Sequence, residues 1–264
     1  MPGRLIEWLE QKKSAGVGFI DPGLEACSQI AGNNAFAMNG FEVPGLGCHL
    51  LSIPLHGEKA GGDIHYVAVC GQRMKSKFLL IDTMGHGEAA AWLSDKLLET
   101  MGALAGSPGN HLLLEEINRL IHNGARSPLF ATVAAATYNQ TDHSWTYAYA
   151  GHPGMLLKRK GQWSELHAGG YSTFAVGVVR DFKYYETTTT LEPGDWVLMY
   201  TDGVLDAVNP DPNYASRKAL LDVATMVEAE TPDDFFTRFV EKLVDMNHSP
   251  GFDEDLTMIL IDHR

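Results

Sequence analysis

Four acidic clusters stand far apart in the chain, each beside glycines or a tight turn. They are Gly61-Gly62-Asp63, Asp82-Thr83-Met84-Gly85-His86-Gly87, Thr201-Asp202-Gly203 and Asp253-Glu254-Asp255. Three of them abut apolar runs of β type: Phe78-Leu79-Leu80-Ile81 before Asp82, Trp196-Val197-Leu198-Met199-Tyr200 before Thr201, and Leu256-Thr257-Met258-Ile259-Leu260-Ile261 after Asp255. Carboxylates at strand ends, with glycines that let the backbone come close, build oxygen cages for hard divalent cations. Each cluster alone has a plainer reading as a helix cap, a turn or a solvated loop, Asp202-Gly203 being a common turn pair. Jointly they bring acids together in a chain with few cations to pair them. Without metal that gathering costs free energy through repulsion and desolvation. The pattern therefore points to a metal-dependent enzyme acting on an anionic substrate.

The bulk numbers bound the alternatives. The chain has 264 residues, 45% hydrophobic and 20% charged, enough to bury a full core. Its net charge of −13 argues against nucleic acid or an anionic membrane as main partner, since both need a basic footprint. A phosphate site is compatible with that acidity only if bound cations invert the local field. No apolar stretch approaches the length of a membrane span, and charges interrupt the N-terminal residues before any secretory apolar region forms. Cys27, Cys48 and Cys70 are scattered and odd in number, which fits a reducing cytoplasm better than a disulfide scaffold.

The elements that must position the acids follow from periodicity. Residues 4–13 read as a helix, 14–47 as a glycine-rich irregular stretch with weak strand signals, and 67–69 and 77–81 as strands. Helices are expected over 88–104 and 111–122, the second stopped by Asn123-Gly124. Strands are expected over 130–138, 144–150, 155–158, 184–191, 196–200 and 256–261, with turn signals between neighbours that imply antiparallel pairing. A last helix starts at Thr231-Pro232 and runs to about Asn247, with Phe235, Phe239, Leu243 and Met246 on one face. With no linker or internal repeat, the chain reads as one α+β domain with helices outside antiparallel sheets.

The order of motifs resembles the PPM family of metal-dependent protein phosphatases, in its bacterial branch of sporulation stage-II-E and stress sigma-factor regulators. The resemblance covers roughly residues 45–262, after a lead-in over 1–44. It rests on Gly61-Gly62-Asp63, Ile81 to Gly87, Tyr149-Ala150-Gly151-His152-Pro153, Leu191-Glu192-Pro193-Gly194-Asp195, Tyr200-Thr201-Asp202-Gly203-Val204 and the acidic triplet before Leu256-Thr257. It implies a four-layer α-β-β-α sandwich of two antiparallel sheets flanked by helices. It also implies two Mn²⁺ or Mg²⁺ ions, with a third conceivable at Asp206, and hydrolysis of phosphoserine or phosphothreonine by a water bridging the metals. Residue by residue, Asp82 bridges the two metals, Asp63 and the Thr83 carbonyl hold the second, and Asp202 holds the first. The last ligand of the family falls on Glu254 here, one methylene longer than the usual Asp, so Glu254, Asp255 or Asp253 is left to fill it. His86 is the candidate general acid beside the default of a metal-bound water, although Mg²⁺ and Mn²⁺ favour oxygen over imidazole as ligands. Lys59 and Arg73 are the nearby cations for phosphate, against the usual solvent-facing role, and His152 reads as a turn-stabilising residue.

The implied partner is a phosphorylated protein, for instance an anti-sigma-factor antagonist in a partner-switching module. Two other readings stay open: a degenerate member that binds a phosphoprotein without turnover, and a metal-dependent hydrolase of small phosphate esters. No sensor module is expected within these residues, and oligomeric state is not legible.

Overall fold

Strands that are apolar on both faces set the architecture. The computed structural model describes residues 18–19, 27–33, 36–56, 61–70, 74–84, 93–99, 101, 108–124, 129–167, 173–208, 216–247 and 251–264. Strands β1 (Gly18–Phe19), β3 (Ala37–Val43), β4 (Leu46–Ile53), β9 (Leu156–Arg159), β10 (Gln162–Glu165), β12 (Trp196–Tyr200) and β13 (Leu256–His263) form one sheet, in the order β1-β3-β4-β13-β12-β9-β10. Strands β2 (Cys27–Asn33), β5 (Asp63–Cys70), β6 (Lys75–Thr83), β7 (Ala131–Asn139), β8 (Ser144–Ala150) and β11 (Glu186–Thr190) form the other, in the order β11-β8-β7-β6-β5-β2. Pairing is antiparallel throughout except for the short parallel contact of β1 with β3.

The alternation along central strands explains their unbroken apolar sequences, because each face meets a different layer. In β6, Phe78 and Leu80 face the other sheet, whereas Leu79 and Ile81 face helices. In β13, Ile259 and Ile261 face the other sheet, and Leu256, Met258 and Leu260 face helices. The helices on the β13 side are α2 (Asp202–Val208), α3 (Ser216–Met226) and α4 (Pro232–Met246); on the β6 side they are α1 (Asn110–Gly124) and the helical residues 93–99. The result is the expected four-layer α-β-β-α sandwich. Helix α4 starts as its sequence predicts: Thr231 caps it by accepting from the Asp234 amide at 3.2 Å, Pro232 follows, and Phe235, Phe239 and Leu243 are buried.

Several boundaries differ from the sequence expectation. The stretch read as irregular contains β2 and β3 and runs into β4, because its alternation is diluted by glycine and asparagine while cross-strand partners order it. Helix α2 replaces a simple turn after Tyr200, and α3 and β10 were not expected at all. Strands β5 and β6 are longer than predicted, reaching Asp63 and Thr83 at the site end. The helix expected over 4–13 lies outside the described residues. Among the described residues, no helix is long and apolar enough to cross a membrane.

Candidate metal centre

Strand register brings the first two acids together. Asp63 opens β5 and Asp82 stands near the end of β6, and antiparallel pairing sets them directly opposite one another. Asp63 is 1% exposed, and burial followed by the Asp82 charge raises its carboxyl well above the usual carboxylate range. Asp82 is pushed up to about 8, by burial first and then by Asp202, Asp255 and Glu254. Those three acids come from two of the other clusters and gather around one carboxyl. Asp202, the first residue of α2, also has a raised pKa, from partial burial and then from Asp206, although both residues keep an exposed edge.

The polar groups around Asp63 orient it. The Thr201 hydroxyl donates to Asp63 Oδ2 at 2.8 Å and in turn accepts from the Thr257 amide at 3.0 Å. This links the ends of β12 and β13 to the start of β5, one sheet to the other. The second oxygen, Oδ1, is buried and has no hydrogen-bond partner among the described residues. A buried carboxylate oxygen left open costs free energy unless something positive meets it. An all-oxygen surrounding of this kind suits Mg²⁺ or Mn²⁺. Among the described residues no three His, Cys, Asp or Glu side chains close on a common point.

Asp255 has a different task from the other acids. Its Oδ1 accepts from the Leu55 amide at 2.7 Å and its Oδ2 from the Gly62 amide at 2.6 Å. Both oxygens are therefore engaged in fixing the loop that precedes Asp63. Two glycines are required by this arrangement. A Cβ on Gly61 would lie 2.1 Å from both Asp255 carboxylate oxygens, and one on Gly203 would lie 2.0 Å from the Asp255 carbonyl oxygen. Asp253 and Glu254 are exposed beside it. Thr83 is buried, and its hydroxyl donates to the Gly62 carbonyl at 2.9 Å, tying the end of β6 to the same loop.

The remaining sequence candidates divide. Lys59, Arg73 and His86 lie outside the described residues. His152 is buried, with Nδ1 3.1 Å from the Pro153 carbonyl, which agrees with a structural place in its turn. In the Glu192-Pro193-Gly194-Asp195 turn, Asp195 is buried and held bidentately by Arg159, at 3.1 and 3.0 Å from Nε, and accepts from the Glu192 amide at 2.8 Å. This motif braces β9 against β12 and has no part in the acidic centre. Thr201 and Thr257 were not singled out from sequence; their position directly beside acidic clusters at strand ends was the available signal.

A four-layer sandwich with a carboxylate centre at the strand ends is the architecture of the PP2C-type phosphatase domain. Residues 73–264 match the model of the stage II sporulation protein E (SpoIIE) family, and the chain belongs to that family. The phosphoserine phosphatase RsbU of Bacillus subtilis is 28% identical over 185 residues, which is 67% of this chain and 53% of the relative. The chain thus spans about half the length of that curated relative. The solved structure of the RsbU and RsbW domains of a Mycobacterium tuberculosis protein superposes with a TM-score of 0.71 at 23% identity, covering 88% of this chain and 63% of that one. The PP2C phosphatase domain of SpoIIE from B. subtilis, with a fragment of its regulatory domain, gives a TM-score of 0.71 at 16% identity, covering 90% and 71%.

Proposed function

We propose that the chain is a metal-dependent phosphoprotein phosphatase that hydrolyses phosphoserine or phosphothreonine. One observation carries the reading: the buried Oδ1 of Asp63, without a hydrogen-bond partner among the described residues, stands on the residue paired with Asp82, whose carboxyl is crowded by three further acids. Two divalent cations, Mn²⁺ or Mg²⁺, supply an activated water and offset the charge of the phosphate. Asp63, Asp82, Asp202 and the Thr83 carbonyl hold them in this proposal. Glu254 completes the set in this proposal, while Asp255 holds the loop before Asp63 through two backbone amides.

The chain's own groups do the positioning. Thr201 fixes Asp63 in one orientation, and Asp255 and Thr83 immobilise the Gly61-Gly62 loop, so the site is built before substrate arrives. Proton delivery to the leaving serine oxygen is assigned to water or to His86. The similarity to a phosphoserine phosphatase supports a phosphoprotein substrate, such as an anti-sigma-factor antagonist in partner switching. The odd, scattered cysteines support a cytoplasmic setting.

The experiment is Mn²⁺-dependent turnover of p-nitrophenyl phosphate, a phosphoserine protein and free phosphate metabolites, for the native chain and Asp82→Asn. Turnover of the phosphoprotein that vanishes in the variant is the expected result. Metabolite turnover alone would favour a small-ester hydrolase, and metal-free phosphoprotein binding without turnover a degenerate binding module.

A further inference from the structure

A second polar cluster lies at the opposite end of the sandwich. Asp82 pairs with Thr132 whereas Ser76 pairs with Tyr138, so at about 3.3 Å per residue Tyr138 is roughly 20 Å along the sheet from the acids. Likewise Asp255 just precedes β13, and His263 is its last residue. The Tyr138 hydroxyl is 3.0 Å from His143 Nδ1 and 3.0 Å from His263 Nε2, and those two nitrogens are 3.0 Å from each other. The imidazole rings meet edge-on, with centroids 4.9 Å apart and planes at 64°.

Three equal short edges are more than the protons serve. A neutral phenol and two neutral imidazoles join two edges by linear hydrogen bonds and leave the third contact without a proton of its own. A divalent ion about 2.1 Å from each atom would sit roughly 1.2 Å above their plane and meet all three at once. A further observation points the same way. In the same β7–β8 turn as His143, the Gln140 Oε1 is buried with no partner among the described residues. Gly45 keeps the space open: a Cβ there would be 3.0 Å from the Tyr138 hydroxyl and 3.6 Å from Gln140 Cγ. Tyr138 and His263 are buried, whereas His143 is exposed and offers an entry path.

We propose that Tyr138, His143 and His263 form a second metal site, for one imidazole-preferring divalent ion such as Zn²⁺. The ion clips the C-terminal strand of one sheet to the β7–β8 turn of the other. Imidazole suits Zn²⁺, Ni²⁺ and Cu²⁺, whereas Mg²⁺ and Mn²⁺ prefer the all-oxygen surroundings of the acidic centre, so ligand type sorts the two sites.

The test titrates Zn²⁺ into the full chain by calorimetry with Mg²⁺ in excess, for the native sequence, His143→Asn, Tyr138→Phe and Asp82→Asn. Asn is chosen at position 143 because it tolerates the left-handed backbone there (φ 55°). One Zn²⁺ equivalent is expected in the native chain, bound at least ~10-fold more weakly in His143→Asn, retained in Asp82→Asn, and accompanied by a rise in Tm that His143→Asn lacks. Co²⁺ added to the native chain should give visible absorption bands of nitrogen ligation, a readout that needs no variant. Equal Zn²⁺ affinity and equal Tm shift in native and His143→Asn proteins, or a Co²⁺ spectrum without such bands, would overturn the proposal and leave a hydrogen-bonded cluster only.

Discussion

Thr201 Oγ1 donates to Asp63 Oδ2 at 2.8 Å, joining residues 138 positions apart across the two sheets. The same hydroxyl accepts from the Thr257 amide. A single side chain therefore satisfies a backbone donor and turns Asp63 so that its other oxygen stays open. Thr201→Val keeps the shape but strands the Thr257 amide and releases Asp63. Stability is expected to fall by about 1–3 kcal/mol, and Mn²⁺-dependent kcat/KM by ~10–100-fold, the usual cost of losing a group that orients a ligand. Wild-type Mn²⁺ dependence in Thr201→Val would show that Asp63 needs no such support.

Asp82→Asn should leave the fold intact or raise Tm slightly, because it relieves a carboxyl whose pKa is pushed up to about 8 by burial and three acids. Phosphatase activity should nevertheless be abolished, and EDTA should reproduce that loss in the native chain. Retained turnover in Asp82→Asn would remove the basis for the two-metal reading.

Within the acidic triplet, neighbouring residues should separate by observable. Asp255→Asn replaces one of two acceptor oxygens by an amide donor facing a backbone N–H, so unfolding free energy should drop by ~1–3 kcal/mol. Glu254→Gln should instead weaken Mn²⁺ affinity with a much smaller change in Tm. Chemical denaturation and Mn²⁺ titration on both variants read the two effects; a reversed pattern would reassign the ligand.

Gly61→Ala tests the same clamp from the other side. A Cβ placed 2.1 Å from the Asp255 carboxylate forces that group or the loop to move. A loss of about 1–3 kcal/mol is expected, as for other overpacked sites, together with loss of activity. Native-like stability would mean that the loop shifts freely.

Acid should destabilise the fold through His152. Burial lowers its pKa to about 4 from an unfolded value of 6.5, so the folded state favours the neutral ring. The contribution is complete above pH 6.5 and is lost as pH falls from 6.5 toward 4, amounting to about 3 kcal/mol over that window. Urea unfolding at pH 7 and pH 4.5, on the native chain and on His152→Asn, measures it. An identical pH slope in both proteins would exclude His152 as the cause.

Much of this arrangement is legible in the chain before folding. Strands β6, β12 and β13 announce themselves as apolar runs because they are covered on both faces, and the acids at their ends mark where the site must lie. Helix α4 is legible because its cap, its proline and its apolar stripe are all local. Strands β2 and β3 were harder to read, since glycine and asparagine blur their alternation and distant partners order them. Helix α2 was hidden behind an Asp-Gly pair that also makes turns, and the close approach of the Asp255 backbone to Gly203 is visible only in the fold.

By itself the sequence determined the chemistry on offer: carboxylates beside glycines at strand ends, in an acidic chain with a two-sided core. Tertiary structure decided how those acids divide the work. Asp63 faces Asp82 because β5 and β6 pair in that register. Asp255 serves as a clamp because Leu55 and Gly62, 200 and 193 positions away, present their amides to it. Hydrogen-bond partners at such separations leave no trace in local periodicity, which records only which face of an element is buried.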